Sequence, residues 1–292
     1  MTTDNDWLAE QFDQHRTHLR AVAYRMLGSR AEAEDAVQEA WLRLSRTDAD
    51  AIENLGGWLT TVVARVSLNM LRSRATRRET ELGDVHAPEV LIDRADGVDP
   101  EHEALLADSV GLALLVVLET LSPAERLAFV LHDMFAVPFD EIGPMLDRSP
   151  AAARQLASRA RRRVRGAAPA PDPDLREQRR VVDAFFAAAR NGDFEGLVKV
   201  LHPDVVTRAE RTPGRFEEVR GAEAVARNAM SYARLAPFVR PALVNGAVGV
   251  VVAPDDTPFS IMGFTVVGGQ IVAIDAIVAP ERLRAVDLTL LD

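Results

Sequence analysis

The chain contains no cysteine, which excludes disulfides, thiolate metal sites and a cysteine nucleophile. It has one lysine, Lys199, so nearly all of its positive charge rests on arginine. Aromatic residues make up only 5%, so its cores must be assembled mainly from Ala, Leu and Val. No stretch reaches the roughly 18 uninterrupted apolar residues of a membrane span. The first residues, MTTDNDWLAEQ, lack the basic start and apolar run of a secretory signal. A cytoplasmic location without a membrane partner is therefore expected. Phosphate-loop, paired-histidine zinc and serine-elbow motifs are absent too. The chain is read as a non-enzyme with no catalytic residue, metal or cofactor.

What is present fits two or three domains: 292 residues, 48% of them hydrophobic. The net charge of −10 argues against a simple nucleic-acid binder, but its distribution does not. Two stretches hold arginine without any acid. One runs from Arg65 to Arg78 through Arg72, Arg74 and Arg77; the other runs from Ser149 to Arg165 through Arg154, Arg159, Arg161, Arg162 and Arg163. Local basic patches mark a nucleic-acid footprint better than total charge does. The alternative is a pair of solvated helix faces.

Residues 7–78 read as helical throughout. Residues 79–101 are acidic and broken by Pro and Gly, the composition of a linker. A second helical block spans 102–165, and the Pro-rich 166–174 reads as a spacer. From 175 to 292 an amphipathic helix is followed by alternating β-branched runs. Gly268-Gly269 between two of these runs marks a hairpin. Helices first and antiparallel strands later make an α+β order for this last part.

In residues 30–44, Ala33, Val37, Ala40, Trp41 and Leu44 share an apolar face. Asp35, Gln38 and Glu39 lie opposite, on either a solvated face or a docking face for a basic partner. In residues 57–79, Leu59, Val62, Val63, Val66 and Met70 form an inward stripe. Thr61, Arg65, Asn69 and Arg72 share another face, suited to phosphate and base contacts. Residues 121–165 read as two short helices, a tight turn and a longer helix. Ser149 is a good N-cap and Pro150 fits the first turn. Arg154, Gln155, Ser158 and Arg162 then face outward, matching a helix-turn-helix or an ordinary hairpin with a basic surface.

The stretches DAVQEAW (35–41) and FDEIGPMLDRSPAAARQLASRARRRV (139–164) resemble the sigma-70 family, in particular its extracytoplasmic-function group. That resemblance implies two all-α domains, region 2 (7–78) and region 4 (102–165), with core RNA polymerase and promoter DNA as partners. It implies that Asp35, Gln38 and Glu39 dock on polymerase. The helix carrying Arg65, Asn69, Arg72, Arg74 and Arg77 would melt and read the −10 element. Arg154, Gln155, Ser158 and Arg159 would read the −35 element, with Arg162 and Arg163 on DNA beside them. Relatives often carry Asp where this chain has Asn69. Residues 175–292, above all FFAAARNGDFEGLVKVLHPDVV (185–206), resemble a cone-shaped α+β SnoaL-like domain, with room for a small-molecule ligand. A sigma subgroup carrying this appended domain has a linker motif echoed here by HAPEV (86–90). Its C-terminal motif is echoed by APERL (279–283), which makes Pro280, Glu281, Arg282 and Leu283 regulatory candidates. The expected function is promoter-specific transcription initiation, with the last domain regulating in cis.

Two other function classes stand beside this one. SnoaL-like folds include isomerases and cyclases that use His or Asp in the cone. Here His202 sits in a helix-to-strand turn, and Asp275 lies within the strand AIDAI, where it could face a cavity. A one-component DNA-binding regulator with a sensing domain would leave residues 30–78 without a purpose.

Overall fold

The computed structural model describes residues 2–47, 52–80, 89–95, 97, 114, 117–167, 171–172, 174–212, 215–284 and 291. The described residues of 2–89 and 118–164 make one compact unit; those of 90–117 and 165–291 make another. Among them no helix is long and apolar enough to cross a membrane.

The first unit is all-α. It comprises α1 (Thr2–Leu27), α2 (Arg30–Leu44), α3 (Leu55–Thr80), α4 (Pro123–Phe129), α5 (Phe139–Met145) and α6 (Pro150–Ala167). A π-helical turn, Val130–Met134, continues α4. The apolar stripes sit where their spacing puts them. Ala33, Ala36, Val37, Ala40 and Leu44 of α2 and Leu59, Val62, Val63 and Val66 of α3 are buried. Trp41 and Met70, also expected inward, are half-buried. Trp41 stays at the edge of the core, its ring 5.2 Å from that of Phe12.

The second unit is α+β. A seven-stranded sheet has the order β1-β4-β5-β6-β7-β2-β3. Its strands are β1 (Ile92–Arg94), β2 (Leu201–Thr212), β3 (Arg215–Arg220), β4 (Val239–Val244), β5 (Ala247–Val252), β6 (Ser260–Val267) and β7 (Gln270–Ile277). Among the described residues only β2 and β7 pair in parallel. Helices α7 (Leu175–Asn191), α8 (Phe194–Val200) and α9 (Ala222–Ser231) complete the unit, with a short α10 (Pro280–Leu283) near its end.

The expected hairpin joins β6 to β7, with Gly268 and Gly269 at φ of +59° and +75°. Positive φ at both central residues is what a tight two-residue hairpin of this hand requires. The same device at Asn245-Gly246 joins β4 to β5. Inside the acidic stretch 79–101, Ile92–Arg94 is an edge strand on β4, with Leu91, Ile92 and Asp93 buried. Asn245 pins it, its side chain accepting from the Leu91 N–H at 2.8 Å and its own N–H donating to the Leu91 carbonyl at 2.8 Å.

The central strands β5, β6 and β7 are buried on both faces. Val181, Val182 and Phe185 of α7 pack with Val225 of α9 on Val250, Phe264 and Ile274, forming the helix face. On the opposite face Ile92, Ala242, Val244, Val251, Ile261, Ile277 and Leu283 form a second cluster.

Candidate nucleic-acid interface and C-terminal cavity

Ser29 caps α2 by accepting from the Glu32 N–H at 3.4 Å. This start leaves Asp35 and Gln38 exposed and Glu39 half-buried on the side away from the core. Glu39 pairs with Arg43 one turn on, at 2.9 Å. Beside this face lies a groove between α1 and α2, lined by Phe12, Val37, Gln38 and Trp41 among others.

On α3 the side chains of Arg65, Asn69 and Arg72 are exposed. The Arg65 guanidinium donates to the Pro144 carbonyl of α5 at 3.1 Å. Arg74, also expected on DNA, is set apart from these exposed side chains. Its side chain is only 10% exposed, pairs with Glu32 and donates to the Leu27 carbonyl at 3.0 Å. It therefore ties α3 to the start of α2 and the end of α1. The Arg77 side chain lies outside the described residues.

The helix-turn-helix is built around Gly143. A Cβ there would come within 2.8 Å of the Arg148 carbonyl oxygen, so only glycine lets the turn pass this close. Asp147 takes a left-handed φ of +55°, and Ser149 caps α6, its hydroxyl accepting from the Ala152 N–H at 3.2 Å. Arg154, Gln155, Ser158, Arg159, Arg162 and Arg163 are then all exposed. Arg154 lies over the Phe139 ring, 5.3 Å from its centroid, inside the roughly 6 Å reach of a cation–π contact.

Two of these arginines are not simply solvated. Arg159 and Arg163 each donate to the carboxylate of Glu125 at 3.1 Å. Glu125 also closes a capping box with Ser122, accepting from its hydroxyl at 2.8 Å and its N–H at 3.2 Å. Burial pushes this carboxyl up, but the bonds from Ser122 and the two arginines outweigh burial and hold it below the usual range. The spacing of Ser122 and Glu125 signals the cap, but nothing local signals the link to Arg159 and Arg163. Arg161 pairs with Asp133 at 2.5 Å. Arg126, 2% exposed, donates to the Arg25 carbonyl at 3.1 Å and to Glu119 at 2.6 Å, so it satisfies the C-terminal end of α1.

Glu89 belongs to the first unit: it accepts from the backbone N–H and the guanidinium of Arg30, each at 2.7 Å. Its carbonyl accepts from the Tyr24 hydroxyl at 3.1 Å. The rest of HAPEV before Glu89 lies outside the described residues. In the second unit, Leu283 of the APERL segment is buried in the same cluster as Ile92. Arg282 pairs with Glu210 at 3.2 Å, while Pro280 and Glu281 are exposed.

The helix face of the sheet carries a cavity of about 140 Å³. The parallel register lays out its floor: Thr207 beside Ile274 at the deep end, Ala209 beside Ala276 in the middle, Arg211 and Val278 at the rim. Among the described residues no carboxylate, histidine or lysine lines it. Asp275, between Ile274 and Ala276, points to the opposite face, which corrects the expectation that it could face a cavity. It pairs there with Arg208 at 3.0 Å, and burial pushes its carboxyl up against the pull of that arginine. His202 is absent from the lining as well; its Nδ1 accepts from the Asp204 N–H at 3.2 Å.

Residues 11–77 match the family model for Sigma-70 region 2, and residues 111–164 that for Sigma-70, region 4. The chain is 44% identical over 256 residues to the ECF RNA polymerase sigma factor SigJ of Mycobacterium tuberculosis, covering 83% of this chain and 80% of that one. It is 32% identical over 289 residues to a probable ECF RNA polymerase sigma factor, SigI, of the same species, covering 96% of each. The crystal structure of Mycobacterium tuberculosis extracytoplasmic function sigma factor SigJ matches with a TM-score of 0.72 at 37% identity, over 97% of this chain and 99% of that one.

Proposed function

This chain belongs to the extracytoplasmic-function group of the sigma-70 family, and from that premise we propose which of its residues do the family's work. It binds core RNA polymerase and directs promoter-specific transcription initiation. The observation that carries the residue assignment is an exposed polar face on each of three helices whose other sides are core. Asp35, Gln38 and Glu39 of α2 dock on polymerase. Arg65, Asn69 and Arg72 of α3, with Arg77, serve the −10 element. Arg154, Gln155 and Ser158 read −35 bases, while Arg162 contacts phosphate and Arg159 and Arg163 reach it from their anchor on Glu125. In this reading 7–78 is region 2, 79–101 the linker, 102–165 region 4, 166–174 a spacer and 175–292 the added domain. The chain works in the cytoplasm without chemistry of its own.

Run-off transcription with purified core polymerase on the DNA upstream of its own gene tests this reading. The double variant Asp35→Arg, Glu39→Arg should bind core at least tenfold more weakly with unchanged helix content, since a basic patch would meet a face built for acids. Core binding equal to wild type would remove the docking assignment.

We also propose that the C-terminal α+β domain regulates in cis through the linker. Ile92–Arg94 is a strand of its sheet, and Ile92 shares a cluster with Leu283 of the APERL segment. Ending the chain before Ala279 removes Leu283 from that cluster and should change promoter binding. Ending it after Arg165 should raise promoter binding if the domain inhibits. Transcription and binding unchanged in both truncations would end this proposal.

A further inference from the structure

We propose that Phe139 is a positioning residue for promoter recognition: its ring, fixed by His132, holds the Arg154 guanidinium in the orientation from which it reads a −35 base. The inference rests on the assignment of Arg154 to base reading and adds to it two residues outside the recognition helix.

The arginines of α6 are held in two different ways. Arg159 and Arg163 donate to Glu125, and Arg161 pairs with Asp133, so each spends N–H donors on a carboxylate. Arg154 has no acidic partner among the described residues; its guanidinium lies instead over the face of Phe139. Attraction to a ring face draws on the positive charge and leaves the fork of N–H donors unspent. A fork of free donors is what bidentate contact with the edge of a base requires. The ring therefore restrains Arg154 without competing for the atoms that would read DNA.

The ring is itself fixed. Phe139 is the first residue of α5 and is buried. The His132 ring stacks on it, with centroids 3.8 Å apart and 29° between the planes. His132 Nδ1 lies 3.1 Å from the Val137 carbonyl oxygen, which can only accept, so Nδ1 carries a proton and donates it. The backbone closes the same loop. The Val137 N–H donates to the Leu131 carbonyl at 2.9 Å, and the Ala136 N–H to the His132 carbonyl at 3.1 Å. Ala136 takes a left-handed φ of +54°, a conformation that alanine keeps only where its surroundings enforce it. A chain of contacts thus runs from the π-helical turn through Phe139 to the recognition helix.

An exposed arginine that is not restrained must be ordered when it meets its base, and that ordering weakens binding. Release from the ring would also let the guanidinium swing to a phosphate or to an acceptor on the wrong base. Loss of the ring should therefore show in discrimination, not in folding.

The test uses the full-length protein with core polymerase, on the promoter upstream of its own gene and on every single-base change across its −35 element. Phe139 is replaced in turn by 4-fluoro-, 3,5-difluoro- and 3,4,5-trifluorophenylalanine. These draw electron density off the ring face in steps while keeping its shape close to that of phenylalanine. Preference for the base read by Arg154 should fall stepwise, about two- to fivefold in all, the size of a cation–π contact at an exposed site. Phe139→Leu should lower it at least as far. The same series built on Arg154→Ala should change nothing further. Thermal unfolding checks that each variant is folded, and should Phe139→Leu fail to fold, the fluorinated series decides alone. If Arg154→Ala relaxes one −35 position and the fluorinated series leaves that position unchanged, the proposal falls and the base-reading assignment stands. If Arg154→Ala leaves every −35 preference intact, the assignment falls and the proposal with it. A series that still lowers preference in the Arg154→Ala background also overturns the proposal, because Phe139 would then act on the packing of α6 and not on Arg154.

Discussion

Helices α3 and α6 carry the two acid-free arginine islands, and they use them differently. On α3 one arginine, Arg74, turns inward and becomes a structural tie among three helices. On α6 Arg154, Arg159, Arg162 and Arg163 stay outside, but Arg159 and Arg163 are held to Glu125. Arginine density along a sequence therefore overstates the positive surface offered to DNA. The surplus is spent on fixing the angle at which each exposed face is presented, and a guanidinium with its several donors suits both tasks.

Arg74→Ala tests the structural half of this contrast and should have the largest effect. It removes the guanidinium that pairs with Glu32, whose side chain is 27% exposed, and that donates to the Leu27 carbonyl. Chemical denaturation should show a loss of about 2–4 kcal/mol. The salt dependence of DNA binding should not move. A stable variant with a reduced salt slope would return Arg74 to the DNA-facing set.

Arg154→Ala tests the exposed half. It should cost about 1–3 kcal/mol of discrimination at one −35 position while leaving stability nearly intact. Arg163→Ala should instead lower affinity evenly across sequences. Equal loss of discrimination in the two variants would erase the division of labour along α6.

Glu125→Ala joins the two halves, with the smallest effect. It removes a capping box and should cost about 1–2 kcal/mol. Freed from it, Arg159 and Arg163 should make DNA binding more salt-dependent. The wild-type protein adds a pH signature. Because the Glu125 carboxyl is held below its ordinary value of 4.5, its contribution is fully present above that value and fades as pH falls through the lowered one. The difference in stability between wild type and Glu125→Ala should shrink over that window. A constant difference down to strong acid would mean the carboxylate does not hold the arginines.

The features that could be read from sequence were local or periodic. The stripes of α2 and α3 follow from apolar spacing. The start of α6 follows from Ser149-Pro150, and the β6–β7 hairpin from Gly268-Gly269. What could not be read depended on distant partners. Glu125 meets Arg159 and Arg163 more than thirty positions along the chain. The strand Ile92–Arg94 is three residues long, lies among acids and pairs with Val244 and its neighbours, so it offers no pattern of its own. Asp275 shows a third kind of limit. Its strand is buried on both faces, so apolar alternation is lost and the direction of one side chain cannot be told from the residues beside it. The cavity is invisible for a related reason: an alanine in a strand looks the same whether its neighbours close over it or leave space.

The edge strand β1 can also be viewed as a mechanical part. Only Ile92–Arg94 is laddered to β4, with Asn245 fastening Leu91 at one end. The rest of the sheet, from β4 through to β3, is laddered strand to strand without using it. Tension along the segment would therefore load this ladder before any longer one. Asn245 would act as its latch, and peeling it would uncover Ala242 and Val244 while the remaining strands stay in register.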